Sequence, residues 1–449
     1  MIDAVEYALG VVILVVVLAL SIALHEIGHL VPAKRSGVKV TQYMVGFGRT
    51  LWSTRRGETE YGIKALPLGG YIRMIGMFPP RAGEDDLHLR ESTTGTFQSL
   101  ADDARAVSAA EVAPGDEDRV FYKLPVHRKV IIMLGGPTMN LLIATVLFGI
   151  LLVGFGDPRN PVSTTTIDTV SACMRTADEG NAPCTDADRP TPAARAGVEP
   201  GDRVLALGGE IVTGWAQVQG LIRARAGQES TLLVQRADGQ REELTITPVE
   251  NEVVALGPDG EAVVGSDGQA ETVTAGFIGV TPTRELASQS LAALPSFTAE
   301  AFTGTVDIVV RLPVRMVDVA QAAFGTQERD PNGPIGLVGV GRITGEIASY
   351  DEITLGDKTA QLLGVLGSLN MALFVFNLIP LLPLDGGHVA GALWEGLRRQ
   401  AAKLLRRPDP GPVDVAKALP LVYAVSGVMV VMFVLLLYAD IVRPISIYG

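Results

Sequence analysis

Apolar residues fall into four uncharged blocks separated by polar sequence. Residues 8–24 run without charge up to His25 and Glu26, and residues 130–155 carry none after Lys129. Residues 361–384 are interrupted only by Pro380 and Pro383, and residues 418–439 form the fourth block. About 20 mostly apolar residues cross a bilayer as a helix. The pattern therefore predicts a polytopic α-helical membrane protein with four transmembrane helices, over 1–30, 130–156, 359–390 and 418–440. The first block resembles a signal peptide in length, but Asp3 and Glu6 replace the basic amino end and no small-residue cleavage site follows. We read it as retained.

Between the blocks the periodicity changes. Residues 38–78 show short alternating runs punctuated by Gly46, Gly48, Gly69 and Gly70, which predicts a β-hairpin or small sheet associated with the membrane. Residues 81–120 are acidic, poor in aromatics and expected to form a mobile cytoplasmic insertion within the 31–129 loop. Residues 157–283 read as an α+β domain, with a helix over 215–226, strands over 231–236 and 243–249 across an Asp238-Gly239 turn, and a closing strand from Gly276. In the 284–358 juxtamembrane region, Phe302, Val306, Val309, Val310, Val314 and Val317 recur at helical spacing. Pro313 is expected to kink or split that helix.

The chain has 449 residues with a formal net charge of −12, and that acidity excludes a nucleic-acid binder. The charge is uneven. Residues 157–330 hold 13 Arg, no Lys and 25 acids, whereas residues 30–129 hold 15 basic and 12 acidic residues. Lys34, Arg35, Arg128 and Lys129 mark one cytoplasmic loop, and Arg398, Arg399, Lys403, Arg406 and Arg407 mark the 391–417 loop. Both termini, including the 441–449 tail, and the 157–283 domain then lie outside a cell membrane, with the chemistry toward the cytoplasmic side. The two cysteines, Cys173 and Cys184, fall in the outer segment. They form either a short disulfide loop or two free thiols, and their position leaves no Cys-rich metal site.

The chemistry begins where the first block ends. His25-Glu26-Ile27-Gly28-His29 places two imidazoles at i and i+4, on one helix face, so both can hold one Zn²⁺. The Glu beside the first His can take a proton from a water activated by that metal. Such residues are costly in an apolar span unless they serve a site. A catalytic zinc needs a third ligand, and Asp385 in Asn377-Leu-Ile-Pro-Leu-Leu-Pro-Leu-Asp385-Gly-Gly-His388 is the candidate. Pro380 and Pro383 break the helix and Gly386-Gly387 permit a sharp turn toward the bundle. Asn377 is either a donor to the reacting oxyanion or a helix-to-helix hydrogen bond. His388 reads as an interfacial residue, and His88 and His127 as surface residues.

These motifs, with Gly135-Gly-Pro-Thr-Met-Asn140 and Gly69-Gly70, resemble the site-2 protease family of intramembrane zinc metalloproteases. The bacterial regulator-of-sigma-E protease branch is most similar, because it carries an outer PDZ insertion between spans two and three. Here Ala196-Gly-Val-Glu-Pro-Gly-Asp202-Arg-Val resembles a PDZ core, and the segment has room for one such module. The long cytoplasmic insertion at 81–120, with its high Ala, Arg and Asp usage, looks actinobacterial. The resemblance implies zinc ligands at His25, His29 and Asp385, a catalytic base at Glu26, and the family Asn at Asn377. It also implies a substrate-clamping β element, here Gly46-Phe47-Gly48 through Gly69-Gly70-Tyr71. The implied substrates are single-span membrane proteins such as anti-sigma factors, already cut by another protease. The PDZ-like domain either binds a peptide ligand or only gates access. The rival readings are a PDZ membrane scaffold, a metallopeptidase with a cytosolic site and a transporter. The scaffold needs no metal motif, the metallopeptidase needs a downstream Glu motif, and the transporter needs no Glu26.

Overall fold

The computed structural model describes residues 4–80, 104–174, 184–185, 188–255, 263, 271–325 and 327–448. The chain divides into two units, one formed by 1–155 with 288–449 and the other by 156–287.

In the first unit, α1 (Ala4–Arg35) is a single helix whose last turn carries Lys34 and Arg35, where cations suit the helix dipole. The hairpin strands β1 (Val40–Arg56) and β2 (Thr59–Met74) follow. Each strand bends at glycine, with positive φ at Gly46, Gly48 and Gly69 (94°, 83° and 144°). Residues 40–45 therefore pair on one side with 70–74 and on the other with 60–63, and 60–64 also pair with 50–55. Two long strands thus make four short segments in the spatial order 50–56, 59–66, 40–47, 70–74. Tyr43 Oη donates to Ala23 O at 2.8 Å, tying this sheet to α1. Phe47, Leu51, Trp52, Ile63 and Leu66 are exposed on it.

Helix α2 (Val126–Gly154) begins after Pro125 and continues through Pro137. The expected mobile insertion falls partly outside the described residues, at 81–103. Within 104–120 the chain is tied down, since Arg105 pairs with Asp414, Arg73 with Glu111, and Lys39 and Arg119 with Asp116.

In the second unit, β3 (Val162–Val170), α3 (Pro192–Ala196), β4 (Arg203–Leu207), β5 (Glu210–Ile211), α4 (Trp215–Ala224), β6 (Ser230–Gln235), β7 (Arg241–Ile246), β8 (Val249–Val254), β9 (Thr272–Phe277) and β10 (Val280–Glu285) follow in order. The main sheet runs β10-β3-β4-β6-β7, with β5 beside β4 and β8-β9 as a separate pair. Its core includes Ile167, Val204, Leu207, Val218, Ile222, Leu232 and Val234. Thr191 caps α3 and Gly197 ends it in the left-handed region at φ 79°. Cys173 and Cys184 are joined in a disulfide.

The first unit then resumes with α5 (Leu294–Phe324), α6 (Leu337–Ser349), α7 (Leu355–Leu378), α8 (Asp385–Leu404) and α9 (Leu419–Val442). Helix α5 is continuous across Pro313, so the helix is not split there. Helix α6 lies in what reads as linker and packs on the amino half of α1. A Cβ on Gly10 would lie 2.3 Å from Thr344 O, and one on Gly345 would meet the Tyr7 ring. Asp440 of α9, itself buried, accepts from Gly336 N and Gly339 N at the start of α6 and from Arg329 Nη2. The third apolar block is one helix only to Leu378. Asp385 opens a new helix rather than closing the span, because residues 379–384 leave the helical path. Among the described residues, four helices are long and apolar enough to cross a membrane: Ala4–Arg35, Val126–Gly154, Leu355–Leu378 and Val415–Val442. Such helices, with the sheet-containing second unit, make this a multi-pass membrane protein.

Candidate active site

Helices α1 and α2 touch backbone to backbone. A Cβ on Gly28 would lie 2.2 Å from Gly135 O, and one on Gly135 would lie 1.9 Å from Gly28 O. Only glycine at both positions permits this approach. Residues one turn to either side of the crossing are thereby brought together, so His29 Nδ1 donates to Ile132 O at 2.7 Å. That bond holds the ring and its proton on Nδ1, leaving the Nε2 lone pair for a ligand role.

Asp385 reaches the same point from α8. Gly386 and Gly387 let residues 378–382 fold against the first turn of that helix, since a Cβ on either would lie 2.4–2.5 Å from the backbone of Leu378, Ile379 or Leu382. Farther along α8, the buried Glu395 accepts two hydrogen bonds from Lys129 of α2, at 2.8 and 3.0 Å. This ion pair fixes α8 against α2 and so sets where its first residue lies.

His25 Nε2 and His29 Nε2 are 3.2 Å apart, and each is 3.3 Å from Asp385 Oδ2. Tetrahedral zinc with bonds of about 2.0–2.1 Å requires ligand atoms about 3.3 Å apart. The triangle has that dimension. Asp385 Oδ2 is buried and accepts no hydrogen bond among the described residues, which suits a ligand atom awaiting a cation. Gly136 supplies the space: a Cβ there would lie 2.2 Å from His29 Nε2 and 2.6 Å from His25 Nε2. Any side chain at 136 would thus stand at about metal-bond distance from both imidazoles. The donor set, its spacing and the glycine cradle all fit Zn²⁺.

A family model described as "Peptidase family M50" matches residues 13–406. The chain belongs to peptidase family M50. Like other members of this site-2 protease family it is a zinc metalloprotease, and Zn²⁺ is its cofactor. It is 32% identical to "Zinc metalloprotease Rip1" of Mycobacterium tuberculosis over 98% of this chain and 99% of that protein. It is also 27% identical to "Zinc metalloprotease RasP" of Geobacillus kaustophilus, over 88% of this chain and 91% of that one. "Metalloprotease MmpA" of Caulobacter vibrioides is 26% identical over 88% of each chain.

In this M50 chain Glu26 is buried beside the triangle's helix. A Cβ on Gly70 would lie 2.9 Å from the Glu26 Cγ. The edge segment 70–74 of the hairpin sheet therefore runs directly past Glu26. Tyr71 stacks on Phe47 with ring centres 6.3 Å apart, and Gly69 leaves room for the Phe47 ring. Gly46 and Gly48 shape the bend on the other strand. Of the β residues expected to contact substrate, Gly70 is the one beside Glu26.

Asn377 is half-buried in the last turn of α7 and makes no hydrogen bond among the described residues. His388 lines a small cavity with Lys129 and Glu395, His127 is exposed, and His88 lies outside the described residues.

Asn140 is the residue that the motif reading underweights. It is 1% exposed, on α2, with its amide nitrogen 3.1 Å from His25 Nδ1 and its Oδ1 buried without a partner. An imidazole that gives Nε2 to a metal carries its proton on Nδ1. Were His25 to give Nε2 to a metal, its Nδ1–H would donate to the amide oxygen of Asn140, with the amide turned end for end. The signal was available: a lone amide in an apolar span needs a partner, the same reasoning that singled out Asn377.

Proposed function

We propose that this zinc metalloprotease is an intramembrane endopeptidase that hydrolyses peptide bonds within the transmembrane segments of single-span proteins. The observation that carries the reading is the His25–His29–Asp385 triangle, formed between the carboxyl end of one apolar helix and the residue just beyond another. In this reading His25 Nε2, His29 Nε2 and Asp385 Oδ2 hold the metal. Bound zinc supplies Lewis-acid polarisation of the scissile carbonyl and acidifies a water.

Glu26 accepts the proton of the attacking water and later returns it to the leaving amine. Removing that role costs roughly 10²–10⁴-fold in rate. A helical peptide bond is shielded by its own hydrogen bonds, so the substrate must be held extended. The 70–74 segment is suited to this, since it pairs on one side only with 40–45 and passes Glu26. An unwound substrate strand would add to its open edge. Asn377 is the candidate donor to the oxyanion.

The basic residues at 34–35, 128–129 and 398–407 support placing those loops, and the active site, on the cytoplasmic side. The acidic 156–287 unit then lies outside the cell membrane, where a disulfide is at home. We read that unit as a single PDZ module that gates access, so that only substrates already trimmed of their outer domain reach the metal. Anti-sigma factors are the expected substrate class.

The test is co-expression of the full chain with a tagged single-span substrate. Wild type releases the cytoplasmic fragment, whereas Glu26→Gln does not while retaining its zinc. Equal cleavage by both would overturn the assignment of the base. Stoichiometric zinc in a His25→Ala/Asp385→Ala double variant would overturn the ligand set.

A further inference from the structure

Helix α8 carries Asp385 at its amino end and has two apolar faces, of which the protein covers one. Ala392 and Glu395 are buried. Gly396 packs near Val126, and Glu395 engages Lys129 on α2. On the opposite side, Leu393, Trp394, Leu397 and Leu404 form a single stripe at helical spacing. They are 53%, 58%, 58% and 85% exposed. Residues 379–384 and 405–418 tether this helix between α7 and α9, two of the helices long enough to span a membrane.

Cations flank the stripe. Lys403, Arg406 and Arg407 form no ion pair among the described residues, because the nearby acids are already engaged. Glu395 is held by Lys129 and Arg399, Asp409 lies near Arg399, and Asp414 is held by Arg105 and Lys417. An apolar stripe with an aromatic residue, bordered by uncompensated cations, is the composition of a helix that lies in the interface of an anionic bilayer. Tryptophan prefers headgroup depth, and juxtamembrane Lys and Arg are attracted to anionic lipid. A second copy of this chain would bring the same three cations to the contact, so charge favours the lipid.

We propose that the outer face of α8 is a binding surface for anionic phospholipid headgroups. Leu393, Trp394, Leu397 and Leu404 enter the interface, and Lys403, Arg406 and Arg407 contact the phosphates. The leaflet thus grips the helix that presents Asp385. This rests on the membrane placement proposed above, and not on the proteolytic step.

The experiment uses the full chain in lipid nanodiscs, with Trp52→Phe and Trp215→Phe leaving Trp394 as the sole tryptophan. Quenching of its emission is compared for brominated phosphatidylglycerol in a phosphatidylcholine background and for the reverse mixture, at equal mole fraction. The expected result is at least twofold greater quenching by the anionic lipid, a preference that shrinks at high salt and disappears in Lys403→Gln/Arg406→Gln/Arg407→Gln. Equal quenching by both lipids would overturn the headgroup preference. No quenching by either would show that another protein surface covers the stripe, and would overturn the proposal outright. Cleavage of a single-span substrate by wild-type chain in the same discs reports separately on the protease reading, since tryptophan quenching needs no turnover.

Discussion

The two halves of α1 are packed by the same device, a glycine pressed against a neighbouring helix, yet they differ in what the close approach serves. In the amino half, Gly10 lies against Thr344 O and Ala348 of α6, and Gly345 of α6 lies against Tyr7. In the carboxyl half, Gly28 lies against Gly135 of α2, and the contact brings Ile132, Gly136 and Asn140 to the two histidines. The first contact is one of shape alone. The second sets proton positions and leaves a metal-sized space. Bulk added at either place is a packing error, but only one of the two errors reaches the chemistry.

The largest expected effect comes from Gly136→Ala. The new methyl group falls where the cation belongs, so zinc content should drop from about one ion per chain to background, measured by atomic spectroscopy on purified protein. Full zinc occupancy in that variant would remove the special status of the carboxyl half. Asn140→Leu comes next, because it deprives His25 Nδ1–H of its acceptor. Loss of such an outer partner typically weakens metal affinity about 10–100-fold. Asn140→Asp, which retains an acceptor oxygen, should hold zinc, and competition with a chelator separates the two variants.

In the amino half, Gly10→Ala should cost about 1–3 kcal/mol through overpacking while leaving zinc stoichiometry unchanged. Thermal unfolding read alongside metal content tests this, and coupled loss of both would erase the distinction between the halves.

The smallest effect concerns the root of the hairpin sheet, outside the spans. Hydrogen bonding to Arg119 holds the Glu58 carboxyl below its usual range, and hydrogen bonding to Lys39 does the same for Asp116. With folded pKa values depressed, their stabilisation is present above the ordinary carboxylate pKa of about 4. It is lost as pH falls through the folded values. Both groups are partly buried at the protein surface, and the loss is small and salt-sensitive. The hydrogen-exchange protection factors of residues 57–60, taken against the intrinsic rate at each pH, should fall modestly in acid, and less so in Glu58→Gln/Asp116→Asn. An unchanged response in that double variant would remove these pairs from the account.

Part of the site was legible in the sequence because it is local. A helix returns to the same face after four residues, so His25 and His29 converge whatever surrounds them. The break before Asp385 could also be read from Pro380, Pro383 and the two glycines that follow. The remainder depends on separations of about a hundred residues or more. Gly136 and Asn140 sit in an apolar stretch whose period carries no mark of the crossing, and α6 is so rich in glycine that it reads as linker. Its identity as a helix comes from the α1 surface that it fits and from Asp440, which caps it across 101–104 residues.

Taken by itself, the sequence determined the four apolar helices, the imidazole pair with its glutamate, and the uneven charge. Each follows from nearest-neighbour chemistry along the chain. Tertiary structure alone decided that Asp385 completes a triangle of zinc dimensions, that Gly136 keeps it open and that Asn140 lies against His25 Nδ1. The reason is that a helix crossing is a property of two surfaces. Gly28 and Gly135 acquire their meaning only when each is seen to leave room for the other's backbone.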